Sequence, residues 1–142
     1  MPSFRQRRPH CRRLIALRSR TVAIKAGRIM LREIAAHTTQ GHSFAFETTL
    51  SGLAYLRHIR QWQRIAYHVS LFFPSLSSPE VANALVAERV KQGGHDIPDP
   101  VIRRRFIAGH KNFEERYKAI VDSWVLYDNE GDEPAAIAWS EK

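Results

Sequence analysis

Alternating helix-like and strand-like hydrophobic patterns constrain the fold of this 142-residue chain most strongly. The predicted elements are, in order, a helix over 21–37, a strand over 43–49, a helix over 51–64, a strand over 67–73, helices that begin at Pro79, near Asp96 and after Gly109, and strands over 124–127 and 135–139. We expect Gly41 to end the first helix, Ser51 to cap the second, and Pro74 to stop the second strand. Short apolar strands that alternate with helices predict an α/β fold with a mostly parallel sheet.

The formal net charge of +8 is concentrated at one end of the sequence. Residues 1–20 hold seven arginines and no acidic residue, whereas the rest of the chain holds 15 lysines and arginines against 14 acidic residues. We therefore expect a basic, disordered tail over 1–20 and a nearly neutral domain over 21–142. An arm that binds nucleic acid, a transit peptide and an aberrant start of the reading frame are alternative interpretations of the tail.

Two further features of the sequence indicate the class of protein. No apolar run approaches the roughly 18 residues that a membrane-spanning helix needs, so we expect no membrane partner. The one cysteine, Cys11, cannot form an internal disulfide, and no Cys/His spacing is typical of a zinc site. We expect a cytoplasmic protein.

The acidic residue Glu47 follows an apolar run and precedes Thr48 and Thr49. Ligands of parallel sheets bind at the carboxyl ends of strands, and the predicted strand over 43–49 places these three residues there. Glu47 is then either an acceptor for a ligand hydroxyl or a general base, with help from the two threonines. A helix cap or a salt bridge explains the same residue equally well from its position alone.

Basic residues cluster in two helices that a Gly-Gly turn joins. Arg89 lies near the end of the first helix, and Arg103, Arg104 and Arg105 follow in the second. Arginines that converge from two helices suit a phosphate, because the guanidinium group binds its oxygens in pairs. A solvated basic face is the alternative.

Five segments of the chain together resemble the zeta-toxin family of P-loop kinases, and especially its bacterial branch of predicted ABC-type ATPases. In order along the sequence they are FAFETTLSG, LFFPSLSSPEVANALVAERVKQGGHDIP, IRRRF, NFEERYKAIVDSW and YDNEGDEP. The resemblance implies a three-layer, P-loop kinase-like fold with a mostly parallel sheet and a helical lid. It also implies ATP and Mg²⁺ as cofactors and a hydroxyl-bearing small molecule as the substrate, which in the best-known members is a UDP-linked amino sugar.

The resemblance carries expectations for single residues. Glu47, Thr48 and Thr49 match the strand end that contacts the substrate in the family. Arg89 matches the lid arginine that reaches the ATP phosphates, and Arg105, or else Arg104, matches a second lid arginine. The family's G-G-H turn is matched by His95, without an assigned role, and the same holds for the matching positions Asn112, Asp128 and Asn129.

The sequence departs from the family in its phosphate-binding elements. Its seven glycines build no G-x-x-x-x-G-K-S/T motif, and no Asn-x-Asp segment, which carries the family's catalytic aspartate, precedes Val22. We therefore expect a partial kinase domain that lacks the first strand and the phosphate loop, with little or no kinase activity alone.

Several partners and functions follow from these expectations. An antitoxin protein is one expected partner, and a second copy that pairs with an exposed sheet edge is another. The alternative functions are a non-catalytic module that binds a ligand or a partner, and nucleic-acid binding through the basic tail, which we regard as the weaker interpretation.

Overall fold

The computed structural model of the chain describes residues 20–94 and 96–142, so the predicted tail before residue 20 and His95 lie outside the described residues. The chain divides into two compact units, one that ends at Phe44 and one that comprises Ala45–Lys142. None of the helices in these described ranges combines the length and the apolar character that crossing a membrane requires.

The described part of the first unit is one long helix and its C-terminal turn. Helix α1 (Arg20–Thr39) confirms the prediction of a helix over 21–37. Gly41 ends it with a positive φ of 68°, and the amide of His42 donates to the His37 carbonyl over 3.0 Å. A left-handed glycine just after the last helical residues closes a helix in this way because it carries no Cβ that would clash.

The second unit combines helices with a three-stranded sheet. Its elements are α2 (Ala54–Arg64), β1 (Ser70–Ser75), α3 (Pro79–Lys91), α4 (Asp99–Asn112), a π-helical turn (Phe113–Tyr117), α5 (Lys118–Ile120), β2 (Ser123–Asp128) and β3 (Ala135–Glu141). The strand order is β1-β2-β3, in which β1 and β2 are parallel and β2 and β3 are antiparallel. The α/β class is therefore confirmed, and the sheet is mixed where the sequence predicted a mostly parallel one.

Helix α3 begins and ends at the residues that the sequence indicates. Ser78 caps it by accepting a hydrogen bond from the Val81 amide over 3.3 Å, and Pro79 occupies the first turn. The chain leaves the helix through Gly93, whose φ is 85°. Helix α4, by contrast, runs on through Gly109, where the sequence had suggested a break.

Strand β1 forms an edge of the sheet, and this explains why Pro74 lies inside it rather than stopping it. The carbonyls of Val69 and Ser75 both accept hydrogen bonds from the β2 side, from Asp122 and Asn129 over 3.0 Å each. Because successive residues of a strand point their backbone groups to opposite sides, the nitrogen of Pro74 lies on the unpaired side. A proline there removes no hydrogen bond from the sheet.

The core of the second unit lies between one face of the sheet and the segment from α4 to α5. Its most buried side chains are Phe113, Tyr117 and Val121. The Phe113 ring stacks on Phe73 with centroids 4.4 Å apart and meets the edge of Trp124 at 5.8 Å. Alternation along β1 places Phe73 in this core and leaves Phe72 on the opposite face with 59% of its surface exposed.

The predicted strand over 43–49 is wrong, because that segment has no strand partner and lies in irregular conformation. The phenylalanines that suggested a strand pack on local rings instead. Phe44 stacks with His37 at 6.3 Å, and in the second unit Phe46 lies 4.9 Å from Tyr55. The prediction that Ser51 caps α2 is also wrong, since that helix begins at Ala54 without a side-chain cap.

Candidate ligand-binding site

Glu47, Thr48 and Thr49 lie in an exposed irregular segment and not at the carboxyl end of a strand, because the strand expected before them does not form. They continue into residues 48–52, an irregular segment with a bend at its end, which we call the threonine turn. Hydrogen bonds from its own side chains stabilise this segment. The Leu50 amide donates to the Thr48 hydroxyl over 3.3 Å, and the hydroxyls of Thr49 and Ser51 lie 2.8 Å apart.

Leu50 has an unusual backbone at the centre of the threonine turn. Its φ is 52°, in the left-handed region that residues with a side chain seldom adopt. Its side chain is nevertheless buried, with 4% of the residue exposed, while the threonines on the preceding positions face solvent. Leu50 is therefore buried, while the polar residues on either side of it are exposed.

The end of helix α4 and the π-helical turn form hydrogen bonds to the backbone of the threonine turn. The side-chain amide of Asn112 donates to the Leu50 carbonyl over 2.7 Å. The Tyr117 hydroxyl donates to the Gly52 carbonyl over 2.8 Å. Burial raises the pKa of this Tyr117 hydroxyl, so it remains a donor at neutral pH.

Arg105 lies on the side of α4 that holds the threonine turn. Gly109 and Asn112, which contact that turn, follow Arg105 by four and seven residues, and this spacing puts all three on one side of a helix. The Arg105 side chain is exposed and forms no ion pair within the described ranges.

The other predicted arginines have different surroundings. Arg103 forms an ion pair with Glu80, and this hydrogen bond holds the pKa of the Glu80 carboxyl below its usual value. Arg104 is exposed on the side of α4 away from Ile102 and the core. Arg89 is exposed in the last turn of α3, and its carbonyl accepts a hydrogen bond from Gly94 over 2.7 Å. Helical spacing therefore places Arg105, and not Arg104, on the side of α4 whose Gly109 contacts Thr49, and no described contact joins Arg89 to that segment.

His110, which no sequence pattern marks, contacts the sheet through a hydrogen bond to Ser75. Its Nδ1 lies 2.9 Å from the Phe106 carbonyl, so in the neutral ring Nδ1–H donates to that carbonyl and Nε2 is a hydrogen-bond acceptor. The hydroxyl of Ser75, at the carboxyl end of β1, lies 3.3 Å from Nε2. Since Gly109 and His110 are adjacent, the last turn of α4 contacts both the threonine turn and the end of a parallel strand.

A metal site built from protein side chains is absent from the described residues. Within residues 20–94 and 96–142, no group of three or more His, Cys, Asp or Glu side chains could hold a metal ion. The carboxylate of Asp128 accepts from the Glu130 amide over 3.0 Å, and Glu130 itself accepts from the Ser77 amide. Comparison with protein-family models, curated proteins and solved structures finds no match to the chain.

Proposed function

We propose that the chain carries the substrate-binding and lid segments of a zeta-toxin-type kinase and binds a phosphate-bearing, hydroxyl-rich small molecule between the threonine turn and Arg105. The sequence resemblance supplies the class of ligand, which is a UDP-linked amino sugar or a close relative. The observation that carries the proposal is the contact of Thr49 with Gly109, one helical turn after Arg105. It supports a shared ligand surface for the Arg105 guanidinium, the Glu47 carboxylate and the hydroxyls of Thr48 and Thr49.

Different residues of this surface bind different parts of the ligand. The Arg105 guanidinium binds two phosphate oxygens at once, which a lysine ammonium does not do with the same geometry. The Glu47 carboxylate accepts hydrogen bonds from sugar hydroxyls, and the hydroxyls of Thr48 and Thr49 both donate and accept. A ligand in which a phosphate group adjoins a sugar satisfies both groups.

Binding without turnover is the activity that we propose for these 142 residues alone. ATP with Mg²⁺ supplies the phosphoryl group in the family that the chain resembles, and the Walker A loop provides the amides and the lysine that hold it. The sequence contains no such motif. The described carboxylates form no metal-holding group, so a Mg²⁺ ion would depend on the phosphates of the nucleotide.

The proposal is tested by titrating the full chain with a UDP-linked amino sugar in a calorimeter, with UDP and free sugar as separate probes. We expect Arg105→Ala to weaken binding by about tenfold or more, since a hydrogen-bonded charge contributes on the order of 1.5–3 kcal/mol. Arg104→Ala is the matched control, because it removes an exposed arginine from the other side of the same helix. Equal losses in both variants, or no binding by the wild type, would contradict the proposal.

A non-catalytic binding module that keeps no ATP site is the second candidate, and the missing Walker A motif favours it. The two candidates differ in their response to ATP. A surviving nucleotide site predicts ATP affinity that Mg²⁺ changes and that Arg89→Ala weakens, whereas a pure sugar-nucleotide module predicts neither effect. Association with an antitoxin protein stays a prediction, and so does pairing with a second copy along the edge strand β1. Sedimentation of the chain tests both associations.

A further inference from the structure

We infer that Asn112 and Tyr117 are positioning residues for the ligand site, because they hold the threonine turn in the conformation that presents Thr48 and Thr49. This inference rests on the proposed function for the identity of the ligand. The claim that the two residues hold the turn rests on their hydrogen bonds to it and does not depend on the ligand. Both side chains donate to backbone carbonyls of the threonine turn, so each acts through the backbone that it holds.

The π-helical turn explains how two residues five positions apart hold neighbouring points of one segment. In an α-helix, residues five apart differ in direction by about 140°, so Asn112 and Tyr117 would point to different sides. A π-helical turn pairs residue i with residue i+5 and brings them to one side. The turn over Phe113–Tyr117 begins directly after Asn112, and the two side chains bond the carbonyls of Leu50 and Gly52.

The held segment needs such support because of its backbone. The left-handed conformation of Leu50 is unfavourable for a residue with a branched side chain, and it persists only where surrounding contacts determine it. The bond from Asn112 ends on the carbonyl of that residue. Without it, Leu50 gains freedom to return to an ordinary conformation, and Thr48 and Thr49 lose their fixed direction.

Burial distinguishes the two donors from ordinary surface contacts. Tyr117 has 1% of its surface exposed, so its ring is fixed in the core while its hydroxyl reaches the exposed residue Gly52. Asn112 is half-buried at the end of α4. A core element therefore forms two hydrogen bonds to a solvent-facing turn, which is the arrangement that holds a binding site in place.

The test uses two variants that change polar atoms and keep the shape of the side chain. Tyr117→Phe removes the hydroxyl alone, and Asn112→Asp replaces the amide donor by an acceptor. Lys111→Ala, at an exposed neighbouring position, is the control. For each variant, the affinity for the UDP-linked amino sugar, the amide hydrogen exchange of Leu50 and Ser51, and the midpoint of thermal unfolding are measured on the full chain.

We expect each variant to bind about fivefold more weakly and to exchange the two amides faster by a similar factor, because one net hydrogen bond is worth that much. The control is expected to change little, and the unfolding midpoint of each variant is expected to fall by no more than the few degrees that one net hydrogen bond accounts for. Unchanged exchange in both variants overturns the positioning role. Faster exchange with unchanged affinity shows that the turn is held but does not serve the ligand, which also overturns it. Absence of binding by the wild type overturns the proposed function, while faster exchange still supports the hold on the turn.

Discussion

The carbonyl oxygen of Thr49 approaches Gly109 so closely that a Cβ atom at position 109 would lie 2.6 Å from it. This contact joins two segments that are 60 positions apart in the sequence. It also gives a physical reason for a glycine in the middle of helix α4, where alanine would otherwise be preferred. The contact is too short for any side chain, so the helix and the turn meet backbone to backbone.

Gly109→Ala is therefore expected to destabilise the protein. The new methyl group forces Thr49 or the helix to move, and overpacking of this kind lowers the free energy of unfolding by about 1–3 kcal/mol. Gly27→Ala in helix α1 is the control, since nothing in the described part of the chain, apart from its own helix backbone and chain neighbours, lies within 4 Å of the new Cβ. That variant is expected to gain up to about 1 kcal/mol from helix propensity. Urea unfolding of both variants checks the prediction, and a stabilised Gly109→Ala would contradict it.

Two adjacent phenylalanines in β1 are expected to differ sharply on truncation. Phe73 packs in the core against Phe113 and is 9% exposed, whereas Phe72 is 59% exposed. We expect Phe73→Ala to lower the free energy of unfolding by about 3–5 kcal/mol, and Phe72→Ala by less than about 1 kcal/mol. Chemical denaturation measures both. Similar losses for the two would show that the sheet face around Phe72 is covered in solution.

Asp122 is expected to make stability depend on pH in the acid range. Its pKa is lowered, chiefly because its carboxylate accepts a hydrogen bond of 2.7 Å from the Val69 amide. A lowered pKa in the folded state stabilises the fold above the unfolded pKa of about 4, and this stabilisation is lost as the pH falls through the folded pKa.

The variant Asp122→Asn keeps an acceptor for Val69 and no longer titrates. We expect its stability to fall less than that of the wild type between about pH 5 and pH 2. Thermal unfolding across this range checks the prediction. Asp132→Asn, at an exposed carboxylate with no hydrogen bond or ion pair in the described part of the chain, is the control and is expected to follow the wild type.

The start of helix α3 offers a matched pair of serines. Ser78 accepts the hydrogen bond from the Val81 amide, so Ser78→Ala leaves that amide without its cap and is expected to cost about 1 kcal/mol. Ser77 takes part through its backbone amide alone, which bonds Glu130 and survives in Ser77→Ala. That variant is expected to stay within about 0.5 kcal/mol of the wild type. Equal effects on unfolding by urea would argue against the cap.

Local sequence signals predicted the elements whose determinants are local. Helix α1, the cap of α3 by Ser78, and the strands β2 and β3 follow from periodicity, capping chemistry and short apolar runs. The strand over 43–49 failed for the complementary reason. Its alternating phenylalanines satisfy the pattern of a strand, but a strand also needs a partner for its backbone, and the pattern of one segment does not reveal whether a partner exists.

The candidate site divides along the same line. The sequence by itself determined which residue types are present: the carboxylate and threonines over 47–49, the arginine run that contains Arg105, and the absence of a Walker A motif. Only the tertiary structure decided that Arg105, rather than Arg104, lies on the side that meets Thr49, and that Asn112 and Tyr117 hold the turn. The sequence specifies residue types and local spacing directly, whereas these contacts depend on the close approach of backbones about 60 positions apart. Packing against the core brings such distant segments together, and no local pattern encodes their register.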